Sequence, residues 1–221
     1  RWLGKERDST NSIVITANSE KAKTLGFSEN CIVPIPETVG GRYSIWSPIS
    51  LSVGLENNFS KFLNGGALAD KMMLGNSKED KQYQKLIKIL VFSDIWFSNF
   101  KSKKNRVVLS YNWKLRSLAN YIQQLEMESL GKQANPRSIF KETGQSIFGG
   151  FGSTAQHSYF QLLHQGTAEF CADIIYSASR SSPLLSAQAQ GQASLLSSDF
   201  KISSDVLEKT NSNSPVNLFH L

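Results

Sequence analysis

The sequence predicts an α/β fold, a three-layer α/β/α sandwich with a mostly parallel sheet. Short apolar runs rich in β-branched residues alternate along the chain with longer segments whose apolar residues recur at helical spacing. Most of the short runs are unbroken, which is typical of strands buried on both faces. Strands that alternate with helices form βαβ units, in which the strands are parallel and the helices cover the sheet.

Five apolar runs are predicted to form the strands. Ligands bind outside the carboxyl ends of strands in such sheets, so the residues that follow these runs are candidates for a site. The closing residues Val216–Leu221 resemble a further strand or the start of a helix, whereas Ser197–Pro215 is rich in serine and asparagine and reads as a loop. The predicted strands are Ile13–Ala17, Cys31–Ile35, Arg106–Tyr111, Gln145–Gly149 and Phe170–Ala178.

Capping residues and apolar residues at helical spacing predict the helices. A serine followed by a proline is a typical helix start, and a glycine after the last apolar residue is a typical end. The predicted helices are 49–57 after Ser47-Pro48, 83–97, 115–125 with Gly131 as its C-cap, a helix capped by Ser153 or Thr154 that runs through His164 to Gly166, and one that Ser182-Pro183 opens.

The composition favours an anionic partner without choosing one. The formal net charge is +6 and the isoelectric point is about 9.3, which suits phosphorylated metabolites as well as nucleic acid. The densest basic cluster, Lys101–Arg106, is predicted to be a solvated loop, and no aromatic residues are interleaved with it as in single-strand-binding surfaces. We therefore expect no nucleic-acid partner. No signal peptide or membrane-spanning run is visible, so we expect a cytoplasmic protein with no membrane partner.

The cysteines and histidines predict no metal site. Cys31 and Cys171 lie in or beside apolar runs and are expected to be buried, reduced thiols. His157, His164 and His220 form no zinc-ligand pattern with them, and we expect neither a metal nor a cofactor.

Three stretches carry residues suited to chemistry, and the first is Glu37–Trp46. Its paired glycines, Gly40 and Gly41, let the backbone approach a ligand closely. Arg42 follows with a charge that cannot be lost. Taken alone, the stretch is more typical of a tight turn with a surface arginine.

The second stretch, Gln124–Lys132, places two carboxylates at the end of a predicted helix. The carboxyl end of a helix carries partial negative charge, so acidic residues are locally unfavourable there. Glu128 falls in or just after the last turn, and a role as a general base is one explanation for an acidic residue at this unfavourable position. Glu126 is predicted to be an exposed acid without a role.

The third stretch, Gly149–His157, is a glycine-rich loop between a predicted strand and a predicted helix. The start of a helix binds anions, and a histidine in its first turn is favoured as the neutral imidazole that can donate or accept a proton. The pattern Gly150-x-Gly152-x-x-Ala155 also matches the dinucleotide-binding fingerprint, with Asp173 for a ribose and Arg180 for a phosphate. The match is weak because Asp173 lies early in its strand rather than at the carboxyl end.

Together, the three stretches resemble the glucose-6-phosphate isomerase family. Gly40–Leu51 (GGRYSIWSPISL) resembles its first signature, Gln123–Lys132 (QQLEMESLGK) its second and Gly152–Thr167 (GSTAQHSYFQLLHQGT) its third, in the family's order and spacing. The resemblance covers roughly residues 12–196. It implies a sugar-isomerase (SIS) type three-layer sandwich and an aldose–ketose isomerase that needs no cofactor.

The resemblance also implies a role for individual residues. The family interconverts glucose 6-phosphate and fructose 6-phosphate by moving a proton between C2 and C1 through a cis-enediol. Glu128 matches the base, Arg42 the arginine that stabilises the enediolate, and His157 the histidine that assists ring opening and is donated across a homodimer interface. Gln124 matches a glutamine near the phosphate, and Gly41 lies beside the substrate in the family pattern.

The resemblance implies a partial chain. Residues 1–30 match the end of the first SIS domain, residues 31–196 the second SIS domain, and residues 197–221 a truncated Ser/Asn-rich tail. The phosphate-gripping loops of the first domain and a lysine-bearing C-terminal helix have no counterpart, so weak or absent activity is expected. The alternative is a non-catalytic SIS module that binds phosphosugars.

Overall fold

The computed structural model describes residues 12–55, 59–178, 182–198, 205, 210–211 and 213–221. The strands are β1 Val14–Thr16, β2 Ile32–Pro34, β3 Asn105–Ser110, β4 Ser146–Phe151, β5 Phe170–Tyr176 and β6 Val216–His220. The α-helices are α1 Ser19–Thr24, α2 Leu51–Gly54, α3 Phe59–Leu74, α4 Lys78–Phe100, α5 Leu118–Leu130, α6 Gly152–Ala155, α7 Phe160–Gln165 and α8 Pro183–Ser197. Short 3-10 helices span Glu29–Cys31, Gly41–Trp46, Pro48–Ser50 and Trp113–Leu115.

The chain divides into two compact units, Arg1–Ile87 and Lys88–Leu221. All five predicted strands are present, each within two residues of its predicted ends. The predicted division into residues 1–30, 31–196 and 197–221 refers to the domains of longer family members and stays a prediction.

The first unit contains a two-stranded parallel sheet formed by β1 and β2. The predicted helix start at Ser47 is confirmed, since the Ser47 hydroxyl accepts a hydrogen bond of 3.3 Å from the backbone N–H of Ile49. The helix begins there as a 3-10 turn and continues as α2, and Asn57, its predicted end, lies outside the described residues. The sequence did not predict α3, whose Gly65-Gly66 pair weakens the helical pattern.

The second unit is built on a four-stranded sheet with the order β4-β3-β5-β6. Every neighbouring pair is parallel, which confirms the predicted parallel sheet. The closing residues form its edge strand β6, one of the two structures expected for them. Between β5 and β6, residues 179–181, 199–204, 206–209 and 212 lie outside the described residues, and with them Arg180 and much of the predicted loop.

Helices cover both faces of this sheet, as the three-layer prediction requires. On one face, buried residues of β3 and β5 pack against α6, α7 and α8, with Leu109, Leu163, Ile174 and Leu196 almost inaccessible to solvent. On the other face, Val108, Ile147 and Ile175 pack against the amino-terminal half of α5. Alternate residues of β3 therefore serve opposite faces, because side chains alternate along a strand.

The single helix predicted from Ser153 or Thr154 to His164 is wrong. The chain instead forms α6 and α7, and the backbone N–H groups of His157 and Ser158 bond back to the carbonyls of Thr154 and Ala155 in the turn between them. No serine or threonine side chain caps α6, which begins at Gly152. A Cβ atom at Gly152 would lie 2.3 Å from the ring of Tyr111, so the start of α6 is set by close packing rather than by a cap.

Two further expectations concern the thiols and membranes. Cys31 and Cys171 are buried and unpaired with each other, as predicted. Among the described residues, no helix is both long enough and apolar enough to cross a bilayer.

Candidate active site

Helix α5 presents different residues to the sheet and to the solvent. The side-chain amide of Gln123 donates to the carbonyl of Ile147 on β4 at 2.6 Å, and the Met127 sulfur accepts from the N–H of the same residue at 3.3 Å. Gln124 and Glu128 share another side of the helix, because residues four apart lie above one another. Both are exposed, and Nε2 of Gln124 donates to Oε2 of Glu128 at 3.2 Å.

The carboxyl end of α5 is closed by the two residues that follow it. Gly131 is the C-cap, as predicted, and its N–H donates to the carbonyl of Met127 at 2.9 Å. The Lys132 ammonium donates to the backbone carbonyls of Glu128 and Ser129 at 2.8 and 2.7 Å. A cation therefore sits on the negative end of the helix and offsets the unfavourable position of Glu128.

The prediction that Glu126 is an exposed acid without a role is wrong. Glu126 is half-buried, and both of its carboxylate oxygens lie 3.1 Å from NH1 of Arg106. The same guanidinium contacts Asp94 of α4 at 3.2 Å and Asp173 of β5 at 2.5 Å. The cluster of Asp94, Arg106, Glu126 and Asp173 is called the Arg106 cluster below.

A signal for this cluster is present in the sequence. Arg106 and Asp173 are the charged residues of two apolar strand runs, and a charge in a buried strand must find a partner. The prediction of a solvated loop over Lys101–Arg106 is wrong for Arg106, whose side chain is only 13% exposed. Two lysines of that stretch also pair with acidic residues, Lys103 with Glu169 and Lys104 with Glu142.

The charges and the burial of the Arg106 cluster shift the pKa values of Asp94 and Arg106. Burial is the main cause that raises the pKa of Asp94, the Arg106 guanidinium opposes it, and smaller contributions from Asp173 and Glu126 add to it, so that the pKa is about 6. Burial alone would lower the pKa of Arg106, but Asp173, Asp94 and Glu126 together raise it. Arg106 therefore stays charged, and Asp94 takes up a proton as the pH falls towards 6.

The predicted glycine-rich loop is not a loop in the structure, since Gly149 and Gly150 lie in β4, which ends at Phe151, and Gly152 begins α6. A Cβ atom at Gly149 would lie 1.9 Å from the carbonyl oxygen of Val108, so only glycine allows β3 and β4 to pair closely at this position. His157 is exposed in the turn after α6, not in the first turn of a helix as predicted. Its ring therefore reaches solvent on the connection that follows the carboxyl end of β4, the edge of the sheet where ligands bind in this class of fold.

The dinucleotide-binding hypothesis requires Asp173 to be accessible to a ribose, and the structure does not support this requirement. Asp173 lies in the middle of β5, where it accepts hydrogen bonds from Nε of Arg106 at 2.6 Å and from Nδ2 of Asn217 at 2.8 Å. Its side chain is only 5% exposed and is therefore not available to a ribose. Arg180, the other residue of that hypothesis, lies outside the described residues.

Arg42 and Gly41 belong to the first unit, in the 3-10 helix Gly41–Trp46. The hydroxyl of Ser44 donates to the carbonyl of Gly41 at 2.6 Å and holds the turn. The Arg42 guanidinium lies over the Tyr43 ring, 5.4 Å from its centre. A Cβ atom at Gly41 would meet no atom within 4 Å, so the backbone there is open to an approaching ligand.

The structure thus brings Gln124 and Glu128 into direct contact and places His157 elsewhere in the same unit. Gly41 and Arg42 lie in the other unit. Within the described ranges, no group of three or more histidine, cysteine, aspartate or glutamate side chains is arranged to hold a metal ion.

Known proteins similar to this chain point in one direction. The sequence profile of the phosphoglucose isomerase family matches residues 3–217. The glucose-6-phosphate isomerase of Shewanella pealeana is 39% identical over 169 residues, which are 74% of this chain and 30% of that protein. That of Shewanella denitrificans is 38% identical over 184 residues, which are 80% of this chain and 33% of that protein. The chain thus spans about a third of the length of these relatives.

Solved structures share the fold. A crystal structure of a glucose-6-phosphate isomerase from Chlamydia trachomatis superposes with a TM-score of 0.73 at 21% identity, covering 100% of this chain and 52% of that one. A hypothetical protein from Thermus thermophilus superposes with a TM-score of 0.64 at 19% identity, covering 91% of this chain and 48% of that one. At these identities, the likeness supports the fold.

Proposed function

The chain belongs to the phosphoglucose isomerase family, and we propose that it carries the reacting residues of an aldose–ketose isomerase for glucose 6-phosphate and fructose 6-phosphate. The family profile spans all three of the stretches that carry candidate residues. In this proposal, residues 31–196 are the second SIS domain, residues 1–30 are the end of the first, and residues 197–221 are the tail that supplies β6.

Glu128 is the base of the proposed reaction. The single observation that carries the proposal is the contrast between the two carboxylates of α5. Glu126 is half-buried and paired with Arg106, whereas Glu128 faces solvent and is held by the side-chain amide of Gln124. An accessible, oriented carboxylate can remove the proton from C2 of the open-chain sugar and return it to C1.

The other roles are proposed from matching positions in the family. Arg42 stabilises the negative charge that develops on the enediolate oxygen, because a fixed guanidinium is worth most where charge appears in the transition state. Gly41 leaves room for the sugar beside it. Gln124 lies near the phosphate, and His157 assists ring opening from the partner subunit of a homodimer. We further propose a cytoplasmic location, that of a glycolytic and gluconeogenic enzyme.

The proposal is tested by a coupled assay that measures glucose 6-phosphate formed from fructose 6-phosphate. Glu128→Gln keeps the shape of the side chain but cannot take a proton, so it should abolish turnover without changing the melting temperature. Glu20→Gln is the matched control, because the exposed Glu20 pairs with Lys23 on α1 in the first unit and its loss should leave turnover unchanged. Equal turnover in the parent and Glu128→Gln would refute the assignment of the base.

A phosphosugar-binding module without catalysis gives a different result. In that case, calorimetry would detect binding of fructose 6-phosphate, while the parent and Glu128→Gln would show the same background in the assay. The chain covers about a third of its relatives' length, so remote binding energy that normally supports turnover could come from segments outside it.

A further inference from the structure

We propose that Arg106 is a positioning residue for Glu128, acting through Glu126 to fix the rotation of the carboxyl-terminal half of α5. The role in catalysis rests on the proposed function, whereas the mechanical link between the three residues does not. Arg106 lies on the central strand β3 and would touch neither the substrate nor the reacting atoms.

Arg106 is anchored firmly in the sheet. Its Nε and NH2 lie 2.6 and 2.5 Å from the same oxygen of Asp173 on β5. The other oxygen of Asp173 accepts from Nδ2 of Asn217 on β6 at 2.8 Å. Arg106 and Asp173 are 13% and 5% exposed, so these charge-assisted bonds are shielded from water and restrict the guanidinium to one orientation.

The remaining nitrogen of the guanidinium reaches α5. NH1 lies 3.1 Å from each carboxylate oxygen of Glu126. Each residue of an α-helix turns about 100° from the last, so Glu126 and Glu128 point in directions about 200° apart. While Glu126 is held against the sheet, Glu128 is held away from it.

Apolar packing restrains the carboxyl-terminal half of α5 less than the amino-terminal half, although Leu125 is half-buried there. The hydrophobic contacts of α5 with the sheet come from its amino-terminal half and the turn before it, namely Leu115, Leu118, Ala119 and Ile122. In the carboxyl-terminal half, Met127 and Leu130 are 39% and 48% exposed. The rotation of the last turns therefore depends more on polar contacts, and among the described residues the Arg106–Glu126 contact is the one that pairs two full charges there.

Two other contacts also hold α5 against the sheet, and the Arg106–Glu126 pair acts in addition to them. Gln123 and Met127 both bind the backbone of Ile147 on β4. They tie α5 to one residue of one strand, and both involve neutral groups. The Arg106–Glu126 pair adds a second anchor on β3, and two separate anchors resist rotation better than one.

The link can be measured without any enzyme assay. The side-chain amide of Gln124 donates to Glu128, so its two proton signals in a 15N-correlated spectrum of the 221-residue chain report on the position of the Glu128 carboxylate. The Glu128→Ala spectrum identifies the signals of the broken contact, because alanine offers no acceptor to Gln124. Glu126→Ala should move the Gln124 signals towards those positions, and Glu20→Ala, the matched control that breaks the Glu20–Lys23 pair on α1, should leave them in place.

A conservative variant separates positioning from folding. Glu126→Gln keeps an oxygen acceptor at the same reach, so it should restore the Gln124 signals at least partly towards those of the parent. If the parent is an active isomerase, Glu126→Ala should lower kcat on the order of 10- to 100-fold with little change in KM, and Glu126→Gln should recover part of the loss.

The outcomes are distinguishable. Unmoved Gln124 signals in a folded Glu126→Ala chain would overturn the link. Moved signals with kcat unchanged in an active enzyme would overturn the positioning role. Moved signals with no isomerase activity in the parent would count against the proposed function and leave the link from Arg106 to Glu128 standing.

Discussion

The side-chain amide of Gln124 donates a hydrogen bond of 3.2 Å to the carboxylate of Glu128, one helical turn further along α5. The contact joins two residues to which the family pattern gives separate tasks, one near the phosphate and one at the reacting carbons. In this structure, Gln124 is placed to orient the carboxylate of Glu128, the proposed base.

Gln124→Ala should therefore lower kcat by roughly two- to tenfold, since a single hydrogen bond contributes about 0.5–1.5 kcal/mol. The measurement is kcat and KM for fructose 6-phosphate, with Gln161→Ala on α7 as the control. In the part of the chain that the structure describes, the Gln161 side chain bonds to another glutamine, Gln165, one turn along its helix. An increase in KM alone would assign Gln124 to the phosphate and not to the base.

Arg42→Ala should lower kcat more than it weakens substrate binding, by on the order of 100-fold, because its charge is needed most when the enediolate forms. Arg42→Lys keeps the charge without the planar guanidinium and should lose less. The measurement is kcat and KM for fructose 6-phosphate in the parent, Arg42→Ala and Arg42→Lys. A change confined to KM would show that Arg42 only binds the substrate.

Stability should depend on pH through Asp94. Its pKa rises from 3.8 to about 6 in the folded protein, so the folded chain binds more protons than the unfolded chain between these values. The free energy of unfolding should therefore fall as the pH rises from about 4 to about 6, and this loss should be complete above 6. Asp94→Asn should remove that slope in urea titrations at a series of pH values.

The control for Asp94 is Asp70→Asn, which removes the same charge from an exposed position on α3. It should leave the slope between pH 4 and 6 in place. A parent and an Asp94→Asn variant with parallel stability curves over this window would show that Asp94 titrates as an ordinary exposed aspartate.

Replacement of Gly149 and of Gly191 by alanine should change the free energy of unfolding in opposite directions. Gly149→Ala places a Cβ atom 1.9 Å from the carbonyl of Val108 in the paired strand, so the free energy of unfolding should fall by roughly 1–3 kcal/mol or more. Gly191 lies within α8, and no atom lies within 4 Å of a Cβ atom added there. Gly191→Ala should therefore raise the free energy of unfolding by about 0.5–1 kcal/mol. Denaturant titration of both variants measures the changes, and a stable Gly149→Ala would contradict the close approach of β3 and β4.

Local patterns predicted the sheet well because buried parallel strands have a distinctive composition. The prediction for Arg106–Tyr111 differs from β3 by one residue at each end, and Gly131 was recognised as the C-cap of α5 from its position alone. The prediction failed around His157, where Ser153 and Thr154 resemble helix caps. The packing of Gly152 against Tyr111, which is distant in sequence, sets the start of α6 instead.

The sequence by itself determined the α/β class, the parallel strands, the family and the identity of Glu128 as the candidate base. Each of these depends on periodicity or on contiguous motifs, which are local properties of the chain. Only the tertiary structure decided that Glu126 pairs with Arg106, 20 residues earlier in the chain, while Glu128 faces solvent. That outcome depends on which side of α5 packs against the sheet and on the register that sets Asp173 beside Arg106, and neither is encoded in the residues next to Glu126.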